Sequence, residues 1–171
     1  MSKYYNPQRS RNLYDPHSQT PFRISRSKID LFINCPLCFY FDRRLGVGQP
    51  PGYPFSLNSA VDNLLKKEFD SYRQKGEAHP LMKENGIDAI PFKHEKIEEW
   101  RDALRRGITC SLAGTNLLIT GGVDDVWLSP DGSLIIVDYK ATSKEDEVTI
   151  DADWQIAYKR QMEIYLKIFK F

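Results

Sequence analysis

Two aspartates and a lysine stand in an otherwise apolar part of the sequence and could do hydrolytic chemistry together. Asp138 and Lys140 are two residues apart at the end of an apolar run. On a strand, both side chains therefore point to one face, while Tyr139 points to the other. Asp124 lies in the preceding apolar run and can meet them across a strand pair. Buried charges are costly unless they are paired or bind a metal. Two carboxylates and an amine that converge are typical of a hydrolytic magnesium site.

The chemistry that these residue types suit is metal-assisted phosphodiester hydrolysis. Asp124 and Asp138 would bind Mg²⁺ or Mn²⁺, which polarises a phosphoryl oxygen and acidifies a bound water. Lys140 would orient the water or stabilise the charge on phosphorus. A purely structural Asp–Lys pair is the alternative, and one Asp-x-Lys tripeptide does not decide between them. Asp125 faces the other way on a regular strand, so we expect it behind the site or on the surface.

A β-hairpin must position these residues. The stretch 117–140 predicts two strands joined by a tight turn at Ser129–Gly132. Pro130 presets the turn dihedral, Asp131 accepts local hydrogen bonds, and Gly132 can take positive φ. Because the second strand is crowded with apolar β-branched residues, we expect both of its faces to be buried.

Helices are predicted around this hairpin from the spacing of apolar residues. The first is capped by Ser25 or Ser27 and interrupted at Pro36. The others cover about residues 56–75, 94–106 and 153–169, whereas 76–93 is expected to be irregular and 108–116 to form a short strand and turn. We therefore predict an α/β domain with a sheet core flanked by helices.

Composition excludes several classes of protein. The chain has 171 residues, 41% of them hydrophobic, which suits one domain with a real core. No run approaches the length of a membrane span, and the N-terminus carries no signal-peptide core, so no membrane partner is expected. Three cysteines, an odd number, argue against a secreted disulfide framework. A cytoplasmic protein is the default expectation.

Positive charge is concentrated at the start of the chain. The net charge is +1, but residues 1–44 hold eight Lys and Arg residues against three acids. Residues 1–24 show no periodicity and are predicted to be a flexible basic arm. A basic segment ahead of an acidic site could suit a polyanion whose phosphate must reach a metal. A solvated basic tail is an alternative that charge alone leaves open.

Four stretches, in this order along the chain, resemble motifs of the PD-(D/E)xK nuclease superfamily. They are closest to its RecB-like exonuclease branch, which includes the CRISPR-associated RecB-like nucleases. The stretches are Ser25–Ile29 with Phe32, Cys35-Pro36 and Phe39–Phe41; Gly121–Asp124; Ile136–Lys140; and Gln161–Tyr165. The resemblance implies a restriction-endonuclease-like core over residues 25–171, with a central mixed β-sheet flanked by helices. It also implies DNA as the substrate and allows a protein partner in a repair or CRISPR complex.

The resemblance assigns further site residues. In the family, the residues that match Gln161 and Tyr165 line the active site and contact the substrate. RecB-like nucleases often carry a metal-binding histidine on the helix after the aromatic stretch, and Asp62 stands at that position here. A carboxylate there could still bind Mg²⁺, which prefers oxygen ligands. Asp62 could equally be a solvent-facing helix residue, and both readings stay open.

Cys35 matches a cysteine that, in some RecB-like nucleases, binds an iron–sulfur cluster of the 4Fe–4S type together with three C-terminal cysteines. This chain has no such C-terminal cysteines, so a set of four ligands is not present. Cys35 and Cys38 could also be buried or idle thiols. Because the last apolar pattern runs up to Phe171 without a cap, we expect the natural protein to continue. An iron–sulfur cluster is expected only if that continuation brings further cysteines.

These residues and motifs support three functional hypotheses of different classes. The leading hypothesis is a Mg²⁺- or Mn²⁺-dependent deoxyribonuclease, and more specifically an exonuclease in DNA repair, recombination or CRISPR- or phage-related processing. The second is a nucleic-acid-binding or assembly module of the same fold with a vestigial site. The third is a structural domain in which Asp138 and Lys140 form only an ion pair.

Overall fold

The computed structural model describes residues 9–50, 56–141 and 148–169, and it describes only the backbone of residues 56, 57 and 154. Its elements, in chain order, are β1 (Phe22–Ser25), α1 (Arg26–Asn34), α2 (Pro36–Arg43), α3 (Ser56–Lys75), α4 (Pro80–Glu84), β2 (Ile90–Pro91), α5 (Ile97–Arg101), β3 (Ile108–Ser111), β4 (Leu117–Gly121), β5 (Asp125–Leu128), β6 (Leu134–Val137), a 3₁₀ turn (Asp153–Gln155) and α6 (Ile156–Ile168). The chain divides into two compact units. The first comprises residues 1–54 and 109–120, and the second comprises residues 55–108 and 121–171.

The first unit contains a mixed three-stranded sheet in the order β1-β4-β3. β1 runs parallel to β4, with Phe22 opposite Leu117. Phe22 and Ile24 are buried and form the apolar side of β1. The prediction of an α/β fold with a mixed sheet flanked by helices is confirmed. Residues 22–24, which we place in the basic arm, are instead part of β1, because their pairing partner lies far away in sequence. Residues 1–8 of that arm lie outside the described part of the chain.

Helices α1 and α2 are separated where the sequence predicts a break. Ser25 is the N-cap residue of α1, and Pro36 is at the start of α2. Proline suits this position because its missing N–H would have no helical partner there. Cys35 is the N-cap of α2, and its Sγ accepts a hydrogen bond from the backbone N–H of Cys38 at 3.1 Å.

A buried acid in the first unit takes up part of the basic charge near the N-terminus. Asp42 pairs with Arg9 at 2.7 Å, Lys28 at 2.8 Å and Arg43 at 2.9 Å. Burial alone would raise the pKa of Asp42, but the hydrogen bond from Lys28 and the nearby positive charges outweigh it and hold the pKa below its usual value. Three of the eight basic residues in segment 1–44 are therefore engaged with one carboxylate.

The second unit contains the predicted hairpin. β5 and β6 pair antiparallel, with Asp125 opposite Val137, and β2 joins on the other side of β5. The turn closes through the N–H of Ser129, which donates to the carbonyl of Ser133 at 2.9 Å. Gly132 has φ +85°, as the turn requires.

The first strand of the predicted hairpin is shorter than expected. Residues 117–128 form two strands, β4 and β5, interrupted at residues 122–124, and β4 belongs to the β1-β4-β3 sheet. At the interruption, the N–H of Val123 donates to the carbonyl of Trp100 at 3.1 Å instead of to a neighbouring strand. The second strand is also less buried than predicted, since only Ile136 of β6 is fully buried.

Helix α3 agrees with its predicted bounds and ends before Gly76, which has φ +68°. On this helix, Phe69 is buried, whereas Leu64 is 65% exposed. Phe69 stacks on His79 at 4.1 Å and on Trp127 at 5.3 Å between ring centroids. This aromatic stack is the centre of the core beneath the hairpin.

The helix predicted over 94–106 is reduced to α5, which has only five residues. Its end has a local cause, because the Asp102 carboxylate accepts hydrogen bonds from the N–H of Arg105 and from the side chain of Arg106. Such side-chain bonds compete with helical ones. Leu104, which lies within the predicted helix, is 96% exposed. Two short elements, α4 and β2, occupy the stretch predicted to be irregular.

The last helix is present as predicted, as a 3₁₀ turn that leads into α6. Glu163 on α6 is exposed, in agreement with the sequence pattern. No helix among residues 9–50, 56–141 and 148–169 is long and apolar enough to cross a bilayer.

Candidate active site

Asp124 is held against the segment that carries the other two predicted catalytic residues. Its backbone N–H donates to the carbonyl of Val137 at 3.1 Å. Its carboxylate Oδ2 accepts a hydrogen bond from the backbone N–H of Tyr139 at 2.8 Å. The Asp124 carboxylate thus lies against the backbone of Tyr139, the residue that follows Asp138.

Asp138 and Lys140 lie on one side of the chain, as their spacing predicts. The Nζ of Lys140 forms an ion pair with Oδ2 of Asp138. Tyr139 points the other way, and its hydroxyl donates to Oδ2 of Asp125 at 2.9 Å. The Asp138 side chain is nearly buried, whereas that of Lys140 is 42% exposed.

Helix α6 supports Asp138 from another direction. The Nε2 of Gln161 donates to Oδ1 of Asp138 at 2.5 Å. Tyr165, four residues later on the same helix face, is buried, and its ring packs against Gly121 so closely that a Cβ there would lie 2.4 Å from Cε1 of the ring. Of the predicted pair on α6, Gln161 therefore contacts the Asp138 carboxylate, and Tyr165 packs against Gly121.

Tyr158 is a residue of this site that the sequence analysis missed. Its ring centroid lies 5.5 Å from the Nζ of Lys140, within cation–π distance. A local signal was present, because Tyr158 precedes Gln161 by three residues and so shares its helix face.

Asp62 lies close to Asp124, and a second lysine joins them. The Nζ of Lys66 is 2.8 Å from Oδ2 of Asp62 and 2.8 Å from Oδ1 of Asp124. Burial alone would lower the pKa of Lys66, but the hydrogen bonds and charges of the two acids outweigh it and raise the pKa. The solvent-facing reading of Asp62 does not fit this contact. Lys66 was not predicted, although its i+4 spacing from Asp62 was a usable signal.

The acids of this region fit a divalent cation in chemical type. Carboxylate oxygens are the ligands that Mg²⁺ prefers, and Oδ1 of Asp62 is buried without a hydrogen-bond partner in the described residues. Lysines hold the other acids: Lys66 contacts Asp124, and Lys140 contacts Asp138. As the side chains stand, the described residues include no group of three His, Cys, Asp or Glu that could hold a metal ion.

Asp125 is fully buried behind the site, which excludes the surface reading. Its Oδ1 lies 2.5 Å from Nη2 of Arg73 and 3.5 Å from Nη2 of Arg101. It also accepts the Tyr139 hydroxyl, and burial together with the Asp125 charge raises the pKa of that tyrosine. Tyr139, the residue between Asp138 and Lys140, is thus held in place by its hydrogen bond to Asp125.

Arg101 connects this buried cluster to the backbone of the site. Its Nε donates to the carbonyl of Asp124 at 2.9 Å, and its Nη1 pairs with Asp70 at 2.9 Å. Asp70 also pairs with Arg73 at 3.1 Å. The two arginines and two acids therefore form one network that fixes the main chain at Asp124. No local sequence pattern indicates it, because its members come from α3, α5 and β5.

Cys35 lies in the first unit and forms a disulfide with Cys38. A sulfur in a disulfide offers no thiolate to iron. The role of Cys35 as a possible iron–sulfur ligand therefore stays a prediction from the sequence.

Fold and site together define the class of this protein. A mixed α/β fold whose hairpin carries Asp124, Asp138 and Lys140 is consistent with a restriction-endonuclease-like nuclease. The family model of the PD-(D/E)XK nuclease superfamily matches residues 23–170, and the chain belongs to this superfamily. Its members are nucleases that generally use divalent metal ions such as Mg²⁺. No curated protein and no solved structure matches the chain significantly.

Proposed function

We propose that this protein is a deoxyribonuclease of the RecB-like branch, dependent on Mg²⁺ or Mn²⁺, and that it acts as an exonuclease in DNA repair, recombination or CRISPR- or phage-related processing. The observation that carries this proposal is the contact of Asp138 with both Lys140 and Gln161, next to the carboxylate of Asp124. These are the residues that match the branch's motifs. A cytoplasmic location and a protein partner stay predictions from the sequence.

In this proposal, Asp124 and Asp138 hold the cation, and Asp62 supplies a third carboxylate. When bound, the cation polarises a phosphoryl oxygen and lowers the pKa of a bound water. Lys140 orients the attacking water and offsets negative charge that develops on the phosphate. Its exposed position suits this role, because the amine must be able to exchange Asp138 for substrate.

Three side chains of α6 position the reacting groups, namely those of Gln161, Tyr158 and Tyr165. Gln161 holds one oxygen of Asp138, so the other oxygen is directed by the pair with Lys140. Tyr158 lies over the Lys140 amine and restricts where it can go. Tyr165 supports this side of the site from its packing against Gly121, and its hydroxyl end is proposed to contact the DNA strand.

The direct test is cleavage of end-labelled single- and double-stranded DNA with Mg²⁺ or Mn²⁺. Asp138→Ala and Lys140→Ala should each lower the rate by at least about 100-fold. A covalently closed circular substrate, which an exonuclease leaves intact, tests the exonuclease assignment. Glu163→Ala, on the exposed face of α6, is the matched control. Cleavage that persists in both site variants would contradict the proposal.

The second candidate function is a nucleic-acid-binding module without cleavage. One observation favours it: in the described residues, lysines hold the acids and no three-ligand metal group is formed. It predicts DNA binding that is independent of divalent cations. Robust metal-dependent turnover would exclude it.

A further inference from the structure

The side chain of Lys66 lies where a cation is needed between two acids. Its Nζ is 2.8 Å from Oδ2 of Asp62 and 2.8 Å from Oδ1 of Asp124. Asp62 and Lys66 are four residues apart on α3, so they share one face of the helix. The chain itself thus supplies one positive charge to the point at which a helix acid and a hairpin acid meet.

Lys66 also completes the hydrogen bonding of Asp124. Oδ1 of Asp124 contacts Lys66, and Oδ2 accepts the backbone N–H of Tyr139. The Tyr139 donor belongs to the main chain and cannot leave without disturbing the hairpin. The ammonium group of Lys66 lies at the end of a flexible side chain and can move away from Asp124. An incoming cation therefore takes Oδ1 of Asp124 as a ligand by displacing the Lys66 ammonium group.

The oxygen next to this contact is ready to take up a new ligand. Oδ1 of Asp62 is buried and has no hydrogen-bond partner among the described residues. Once Lys66 moves, Oδ2 of Asp62 and Oδ1 of Asp124 become free as well. Two carboxylates left without a counter-charge repel each other, which favours a divalent cation in the place of the ammonium.

We propose that Lys66 is an internal competitor for the metal: its ammonium group holds Asp62 and Asp124 together in the metal-free protein and is displaced when a divalent cation binds. The inference rests on the proposed function, because it takes these acids as metal ligands. Lys66 is a positioning residue, since it acts through Asp62 and Asp124. Its competition makes metal binding weaker than the acids alone would allow.

The test is Mn²⁺ binding to the metal-free protein by titration calorimetry. Lys66→Met removes the charge and keeps the length of the side chain. It should bind Mn²⁺ about five- to tenfold more tightly than wild type, the factor expected when both partly exposed ion pairs of Lys66 are lost. Lys67→Met, on the adjacent exposed lysine, removes the same charge from the same helix and should bind as wild type does.

A second readout guards against misfolding. Without metal, Lys66→Met should unfold at a lower temperature than wild type, and Mn²⁺ should raise that temperature more than it does in wild type. Lys66→Gln, which keeps a hydrogen-bond donor without the charge, should shift both measurements in the same direction.

The outcomes separate the inference from the proposed function. Wild-type binding of Mn²⁺ that is equal to or tighter than binding by both folded Lys66 variants would overturn the inference and leave the nuclease proposal standing. Absence of Mn²⁺ binding in wild type and all variants would contradict the proposed function itself.

Discussion

The backbone N–H of Tyr139 donates a hydrogen bond to the Asp124 carboxylate at 2.8 Å, and this contact joins the two segments of the hairpin that carry the predicted catalytic residues. It comes from the residue between Asp138 and Lys140. Any shift of the Tyr139 main chain therefore moves all three predicted catalytic side chains together. The structure holds Tyr139 from the opposite side through Asp125.

Asp125→Asn should strongly destabilise the protein. Asp125 is fully buried and pairs with Arg73 at 2.5 Å, so the substitution leaves two buried guanidinium groups with Asp70 as their shared counter-charge. The expected loss is about 3–5 kcal/mol in the free energy of unfolding, measured by urea denaturation. Asp131→Asn, in the exposed turn, is the control and should change little. A loss below about 1 kcal/mol would show that the network is not held by this charge.

Gln161→Ala should lower kcat more than it changes KM. Gln161 orients Asp138, and misplacing a catalytic group by about 1 Å can cost up to 100-fold in rate. Gln161→Glu should be at least as damaging, because it places a second carboxylate against Asp138. Steady-state cleavage kinetics measure both effects, with Glu163→Ala on the same helix as control. Unchanged kcat in both Gln161 variants would remove Gln161 from the site.

Gly121→Ala should destabilise the protein and disturb the Tyr165 side of the site. The added Cβ would lie 2.4 Å from the Tyr165 ring, so the ring must move. Overpacking of this kind typically costs about 1–3 kcal/mol, which thermal or urea unfolding would detect. Gly48→Ala is a matched control, since its Cβ would meet its nearest atom, Oδ1 of Asp42, at 3.9 Å. Equal stability of the two variants would show that Tyr165 is not confined by Gly121.

A fall in pH should weaken the ion pairs of Arg73 and Arg101 with Asp70, because it protonates the Asp70 carboxylate. Burial alone would raise the pKa of Asp70, but its hydrogen bonds and ion pairs with Arg101 and Arg73 outweigh it, so the pKa lies below 3.8 in the folded protein. A depressed folded pKa gives stability that is present above the unfolded value and is lost as pH falls through the folded value.

The measurement is urea unfolding of wild type and Asp70→Asn at about pH 6 and about pH 3. At the higher pH, wild type should have a larger free energy of unfolding than Asp70→Asn. At the lower pH, this difference between the two proteins should be smaller. Asp88→Asn, an exposed acid, is the control. A difference that is the same at both pH values would show that Asp70 does not contribute through its charge.

Local patterns in the sequence account for the hairpin and for the placement of its charges. The turn at Ser129–Gly132, the opposite orientation of Asp138 and Tyr139, and the break before Pro36 are properties of neighbouring residues, and each is present in the structure. The pairing of β1 with β4 was not predicted, because it joins segments about ninety residues apart.

The residues that support the candidate site also differ in whether a local sequence pattern indicates them. Lys66 lies four residues after Asp62 on α3, and Tyr158 lies three residues before Gln161 on α6. These helical spacings indicate that Lys66 and Tyr158 share the helix faces of the predicted site residues. Arg101 and Arg73 could not be found in this way, because their partner Asp125 lies on a strand distant in sequence. Their role is visible only once the helices are packed on the hairpin.

The most direct test of the account is the rate of DNA cleavage as a function of Mg²⁺ concentration for wild type and Asp124→Asn. Asparagine can still accept the Tyr139 hydrogen bond, so the variant should keep the fold although it loses the ion pair with Lys66. The account predicts saturable, chelator-sensitive cleavage by wild type and a loss of at least about 100-fold in Asp124→Asn. Equal cleavage by the two folded proteins, or wild-type cleavage that is independent of divalent cations, would contradict it.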